Sequence, residues 1–111
     1  MKNLLVKKNI RLLTALNKLS LSGEKTLIVI NKNQELIGTI SDGDIRNKLL
    51  KNNNLNNNIE DTYNKKPTFL KQGKFSKKDV EDIFLKNHFD LIPIVNKKNV
   101  VVDYNTWGNF F

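Results

Sequence analysis

Ser41-Asp42-Gly43-Asp44 places a hydroxyl, two carboxylates and a glycine within one turn of chain. Two chemistries suit that set. Ser41 and Asp44 stand at the spacing of a reciprocal helix cap. Asp42 and Asp44 form a DxD triplet able to touch a divalent cation, but such a site needs further oxygen ligands and a large donor-binding domain. A chain of 111 residues has no room for that domain. His88 is the single imidazole and there is no cysteine. Multi-His metal sites, Cys-based zinc, thiolate nucleophiles and disulfides are thereby excluded. Neither a P-loop nor a GxGxxG motif is present. His88 falls at a helix end, where a dipole contact or partial burial is expected rather than catalysis.

The elements that must hold Ser41 and Asp44 follow from periodicity. Over residues 10–20 Leu12, Leu16 and Leu19 form one stripe with Ala15 beside it, which predicts an amphipathic helix. Gly23 suits its left-handed cap. Thr26 to Asn31 is a β-branched apolar run and predicts a buried strand. Asn31-Lys32-Asn33-Gln34 reads as a turn, and Glu35 to Ile40 as a strand pairing antiparallel with the first. Ser41 then opens a helix through Ile45, Leu49 and Leu50.

Residues 52–58, six of them Asn, offer little to bury and read as a connection. Beyond them the grammar recurs. Residues 67–70 predict a short strand, Ser76 and Asp79 a second capping box, and Val80, Ile83 and Phe84 the apolar face of its helix. Leu91 to Val95 and Asn99 to Asp103 predict another strand pair. Val29-Ile30-Asn31-Lys32 overlies Ile94-Val95-Asn96-Lys97, so the halves repeat at an offset of 65 positions (29 to 94). One such half sits at the low end of independent stability, so two packed face to face are the expected folding unit.

Gly38, Ser41 and Asp44, together with Ile92-Pro93-Ile94-Val95, carry a family resemblance. The chain resembles a tandem CBS-domain pair, or Bateman module, over nearly its whole length. In that family a repeat ends its last strand with Gly, two variable residues, Ser or Thr, two more, and an Asp opening a helix. The resemblance implies an α/β (α+β) fold of two β-α-β-β-α repeats packed as a pseudo-twofold pair, residues 1–55 and 59–111. The run Gly38 to Arg46 followed by Leu49-Leu50 is similar to CBS pairs fused ahead of bacterial sugar-phosphate nucleotidyltransferases. It implies a regulatory domain excised from such an enzyme and not itself an enzyme.

By the same resemblance Asp44 takes the ribose of an adenine or related nucleotide, AMP or ATP, acting as an effector and not as an obligatory cofactor. Ser41 and Thr39 lie on the phosphate side, with Arg46 or Lys48 adding charge, main chain and apolar side chains near Ile28, Ile92 and Pro93 enclose the base, and Gly38 belongs to the same nucleotide-binding set. With one residue removed from the second turn, Gly38 falls on Val102, Ser41 on Asn105 and Asp44 on Gly108, so the second repeat is expected to lack the carboxylate. Homodimerisation through helical faces is implied as well. The alternative is a purely structural oligomerisation module with a decayed ligand site.

The formal charge is +8, from 19 Lys and Arg against 11 Asp and Glu. It raises nucleic acid as a partner. Seventeen of the basic residues are scattered lysines in an Asn-rich background, with no stacking-aromatic motif or basic helix, so that partner is set aside. The longest apolar run, Leu27 to Ile30, is far short of a membrane span, and Lys7-Lys8 breaks the N-terminal one. A cytoplasmic location is expected. Trp107, Phe110 and Phe111 are expected to pack rather than to stack on a base.

Overall fold

The computed structural model describes residues 4–52 and 54–111. The first half runs β1 (Leu5–Lys7), α1 (Leu12–Ser22), β2 (Thr26–Ile30), β3 (Leu36–Ser41) and α2 (Asp42–Lys51). The second runs β4 (Leu70–Lys71), α3 (Lys77–Asn87), β5 (Leu91–Val95), β6 (Val101–Thr106) and α4 (Trp107–Phe110). Each half is therefore β-α-β-β-α. Its three strands form a separate sheet, β1-β2-β3 or β4-β5-β6, with a parallel first pair and an antiparallel second pair. The middle strands β2 and β5 are buried at every position, as continuous apolar runs in a covered sheet must be. In β3 buried residues alternate with half-buried ones. No helix among the described residues is long and apolar enough to cross a membrane.

The short opening strand β1 is implied by the family resemblance but by no periodicity of the residues themselves. Three residues cannot display an alternation, and the strand exists because β2 offers it a parallel edge, with Leu4 and Val6 buried there. The repeat itself holds more strictly than expected. Ile30 pairs with Leu36 and Thr26 with Ser41, and in the second half Val95 pairs with Val101 and Leu91 with Thr106. Both hairpins carry an irregularity at the same place, Val29/Ile30 and Ile94/Val95. The two turns also match bond for bond. Asn31 Oδ1 accepts the N–H groups of Asn33 and Glu35, and Asn96 Oδ1 those of Lys98 and Val100. Gln34 and Asn99 both take positive φ, 68° and 65°. No residue is removed from the second turn, so the true counterparts of Gly38, Ser41 and Asp44 are Asp103, Thr106 and Asn109.

The halves meet hairpin to hairpin. Leu36 N–H donates to Asn99 O at 2.9 Å, and Val101 N–H donates to Gln34 O at 3.1 Å, two bonds exchanged by the same pseudo-twofold axis. Asn99 Nδ2 adds a third to Leu36 O at 3.0 Å. Leu91, Val95 and Val101 join the apolar cluster built on the first half, while Val80, Phe84 and Ile92 form a second, separate cluster in the second half.

The Asn-rich connection is not idle. Helix α1 has Arg11 as its N-cap, whose side chain makes no cap bond, and the helix's orphan N–H groups go elsewhere. Leu12 N–H donates to Asn57 O at 2.8 Å and Leu13 N–H to Leu55 O at 3.1 Å. Downstream, Ile59 and Tyr63 are buried in the first-half core. The described residues of 52–58 bury no side chain fully, as expected, yet their carbonyls and the two apolar side chains just downstream complete the first repeat. In α3 the equivalent job is done by Ser76 and Asp79.

Candidate functional site

Between the repeats lies a cleft of about 270 Å3. The first half contributes Thr26, Thr39, Ser41 and Asp44, the connecting segment Asn64 and Thr68, and the turn from α3 into β5 contributes His88, Phe89, Asp90 and Leu91. Ser41 and Asp44 are fixed there by a full capping box: Asp44 N–H donates to Ser41 Oγ at 3.0 Å and Ser41 N–H to Asp44 Oδ2 at 2.9 Å. Only one carboxylate oxygen is used. Asp44 Oδ1 has no hydrogen-bond partner among the described residues. The cap and an available acceptor thus coexist in one side chain.

Thr39 is set by backbone. Its N–H donates to Asn64 O at 3.1 Å and its carbonyl accepts Asn64 N–H at 2.8 Å, which draws the connecting segment against β3 and brings Asn64 to the cleft. Gly38 permits this approach. A Cβ there would overlap the Asn64 carbonyl and the ring of Tyr63, so the glycine shapes the wall without facing the cleft.

The other sequence-derived candidates lie elsewhere. Ile28, Ile92 and Pro93 are fully buried inside β2 and β5, and Ile92 packs with Val80 and Phe84. The apolar lining comes instead from Phe89 and Leu91. Arg46 points along the outside of α2 and pairs with Asp42 at 3.2 Å, one turn away. Lys48 donates to Asp61 Oδ2 at 3.0 Å. That hydrogen bond and the charge of Lys48 hold the Asp61 carboxyl below its ordinary value. Among the described residues no group of three or more His, Asp or Glu gathers as a cation would require, so the DxD triplet stays a cap and an ion pair.

Sequence reasoning missed the lining from Thr26, Asn64, Thr68, Phe89, Asp90 and Leu91. It placed His88 correctly at a helix end, but not at the cleft. His88 closes α3 in the left-handed conformation, φ 53°, where Gly23 closes α1. That equivalence was the available signal, since it sets His88-Phe89-Asp90 opposite Ser41.

The pseudo-symmetric position differs in kind. Thr106 Oγ1 accepts Asn109 N–H at 3.0 Å, which reproduces the Ser41 cap, but Asn109 brings an amide where Asp44 brings a carboxylate. Tyr104 stands at the place of Thr39 and packs against the first-half core. Loss of the carboxylate was expected from sequence; the residues responsible are Thr106 and Asn109, not Asn105 and Gly108.

No protein-family model matches the sequence, and no curated protein does. Solved structures do match. The CBS-pair protein CBSX2 from Arabidopsis thaliana superposes with a TM-score of 0.83 at 23% identity, over 98% of this chain and 84% of that one. CBSX2 in complex with AMP gives 0.81 at 23%, over 96% and 82%. The cytosolic domain of the Mg2+ channel MgtE in complex with ATP gives 0.79 at 14%, over 96% of this chain and 42% of that one. At these identities the likeness is one of fold. Two β-α-β-β-α units, joined hairpin to hairpin about a pseudo-twofold axis, give this chain the fold of a CBS-domain pair.

Proposed function

We propose that the chain is a regulatory CBS pair that binds an adenine nucleotide, such as AMP or ATP, in the cleft between its repeats and does no chemistry itself. One observation carries the reading: among the described residues Asp44 keeps one carboxylate oxygen without a partner, in a cleft of hydroxyl, amide and aromatic side chains drawn from both repeats. Asp44 accepts the ribose hydroxyls, Ser41 and Thr39 serve the phosphate side, and Phe89 with Leu91 covers the base. The complexes of CBSX2 with AMP and of MgtE with ATP support the ligand class. A ligand held by both repeats biases their relative position, and an attached catalytic domain would feel a coupling of about 1–3 kcal/mol. A sugar-phosphate nucleotidyltransferase in the cytoplasm is the attached domain proposed, on the resemblance of the segment from Gly38 to Arg46.

Homodimerisation through helical faces is the second part of the proposal. Leu21 in α1 and Leu50 in α2 are 88% and 87% exposed, and Leu85, Trp107 and Phe111 stand out from the second repeat. A structural module without a ligand is the competing reading, and the amide at Asn109 and the ring of Tyr104 favour it for the second site. Thermal-shift titration of the chain with AMP, ATP, CTP and GTP decides between them. At a hundredfold excess over Kd a bound ligand contributes about 2.7 kcal/mol, roughly a 10 °C rise in Tm for a domain of this size. No shift with any nucleotide leaves oligomerisation as the function. Sedimentation at rising salt tests the dimer, which apolar contacts preserve and nucleic-acid binding would not.

A further inference from the structure

Although the chain carries a charge of +8, no Lys or Arg among the described residues lines the central cleft. The ionisable lining is Asp44, Asp90 and His88. Asp90 has no hydrogen-bond or ion-pair partner for its carboxylate among the described residues. Its backbone is held, since its carbonyl accepts Trp107 N–H at 3.2 Å, just as the Lys25 carbonyl accepts Asp42 N–H at 2.9 Å. Lys25 is the pseudo-symmetric counterpart of Asp90, so the axis exchanges opposite charges. Basic groups are near at hand: Lys25 and Arg46 line an adjoining groove with Asp42 and Gly43. Ser41 and Asp90 are the two residues common to the cleft and that groove. A phosphate chain leaving the cleft toward Lys25 and Arg46 therefore passes Asp90.

We infer that Asp90 sets the charge selectivity of the cleft, so that it accepts a nucleoside or nucleoside monophosphate and rejects di- and triphosphates. The inference rests on the nucleotide reading above and narrows its ligand. Each further phosphate adds negative charge beside an unpaired carboxylate, and like charges brought together across a site weaken binding. Arg46, already held by Asp42, and Lys25 line the outer groove and not the cleft, so they offset little on the cleft side of Asp90.

Calorimetric titration with adenosine, AMP, ADP and ATP in metal-free buffer of low ionic strength tests this on the full chain and on its Asp90→Asn and Asp90→Lys variants. In the native chain ATP binds at least about tenfold more weakly than AMP, a difference of about 1.4 kcal/mol. Asp90→Asn brings the two within about threefold, Asp90→Lys favours ATP, and adenosine binds all three proteins alike. Equal affinity of the native chain for AMP and ATP overturns the inference while leaving the nucleotide reading intact. So does an AMP-to-ATP ratio that neither variant changes. Loss of adenosine binding in folded Asp90 variants makes Asp90 a direct nucleoside contact and likewise overturns it. If none of the four compounds binds, the nucleotide reading itself falls.

Discussion

His88 stands where Gly23 stands one repeat earlier, both in the left-handed region, at φ 53° and 73°. A side chain there costs about 1 kcal/mol that glycine avoids. His88→Gly is expected to raise the urea midpoint by an amount equivalent to about 1 kcal/mol, and Gly23→Ala to lower it by a similar amount. A His88→Gly protein that is less stable than the native chain would show that the imidazole makes a contact outweighing its backbone strain.

Two capping boxes of the same design, Ser41/Asp44 and Ser76/Asp79, separate capping from ligation. Asp44→Ala and Asp79→Ala each lose a reciprocal cap and are expected to lose about 1 kcal/mol of stability. Only Asp44 lines the cleft. AMP should still raise the Tm of the Asp79→Ala protein by the native increment and should leave the Asp44→Ala protein unmoved. An equal AMP response in both variants would remove Asp44 from the site.

Gly38 lies under Tyr63 and the Asn64 carbonyl. Gly38→Ala forces the connecting segment off β3 and is expected to destabilise by roughly 1–3 kcal/mol in chemical denaturation. Adding Tyr63→Ala removes the ring but not the backbone oxygen, and also empties a buried position. The double variant is therefore expected to be less stable than Gly38→Ala alone.

Asp61 gives a small pH dependence of known sign. Its carboxyl is held below the ordinary value in the folded chain by the hydrogen bond and charge of Lys48. The folded state therefore releases that proton more readily than the unfolded chain. The stabilisation is complete above the unfolded value, near pH 4, and is lost as pH falls through the lower folded value. Asp61 is 71% exposed, so screening keeps the effect small. Asp61→Asn should flatten the acid limb of a urea-midpoint profile slightly, and salt should mask the difference.

What could be read from sequence was whatever lay close together in it. Ser41 with Asp44, Ser76 with Asp79, and Gly23 as a cap are signals within one turn, and each stands in the structure as expected. The hairpins and the 65-position offset also came from short patterns. The register of the second repeat did not, because Asp103 replaces Gly38 and leaves no glycine to anchor an alignment. The paired asparagines Asn31 and Asn96, each accepting two turn N–H groups, would have fixed it. The strand expected at residues 67–70 shrank to Leu70–Lys71, and β6 runs to Thr106 because its partner β5 extends that far. The cleft was least legible, since Asn64 and Thr68 reach it on the connecting segment that pairs with Thr39, and Asp90 meets Ser41 only through the pseudo-twofold packing.

The borrowed cap of α1 imposes an order on synthesis. A chain emerging from the ribosome presents Leu12 and Leu13 long before Leu55 and Asn57 exist to receive their N–H groups, and before Ile59 and Tyr63 can fill the core beneath. Growing domains fold as units once their contacts are available. The first repeat must therefore wait, incomplete, until translation has passed Asn64, whereas the cap of α3 comes from its own first turn and is complete as soon as Asp79 has been added.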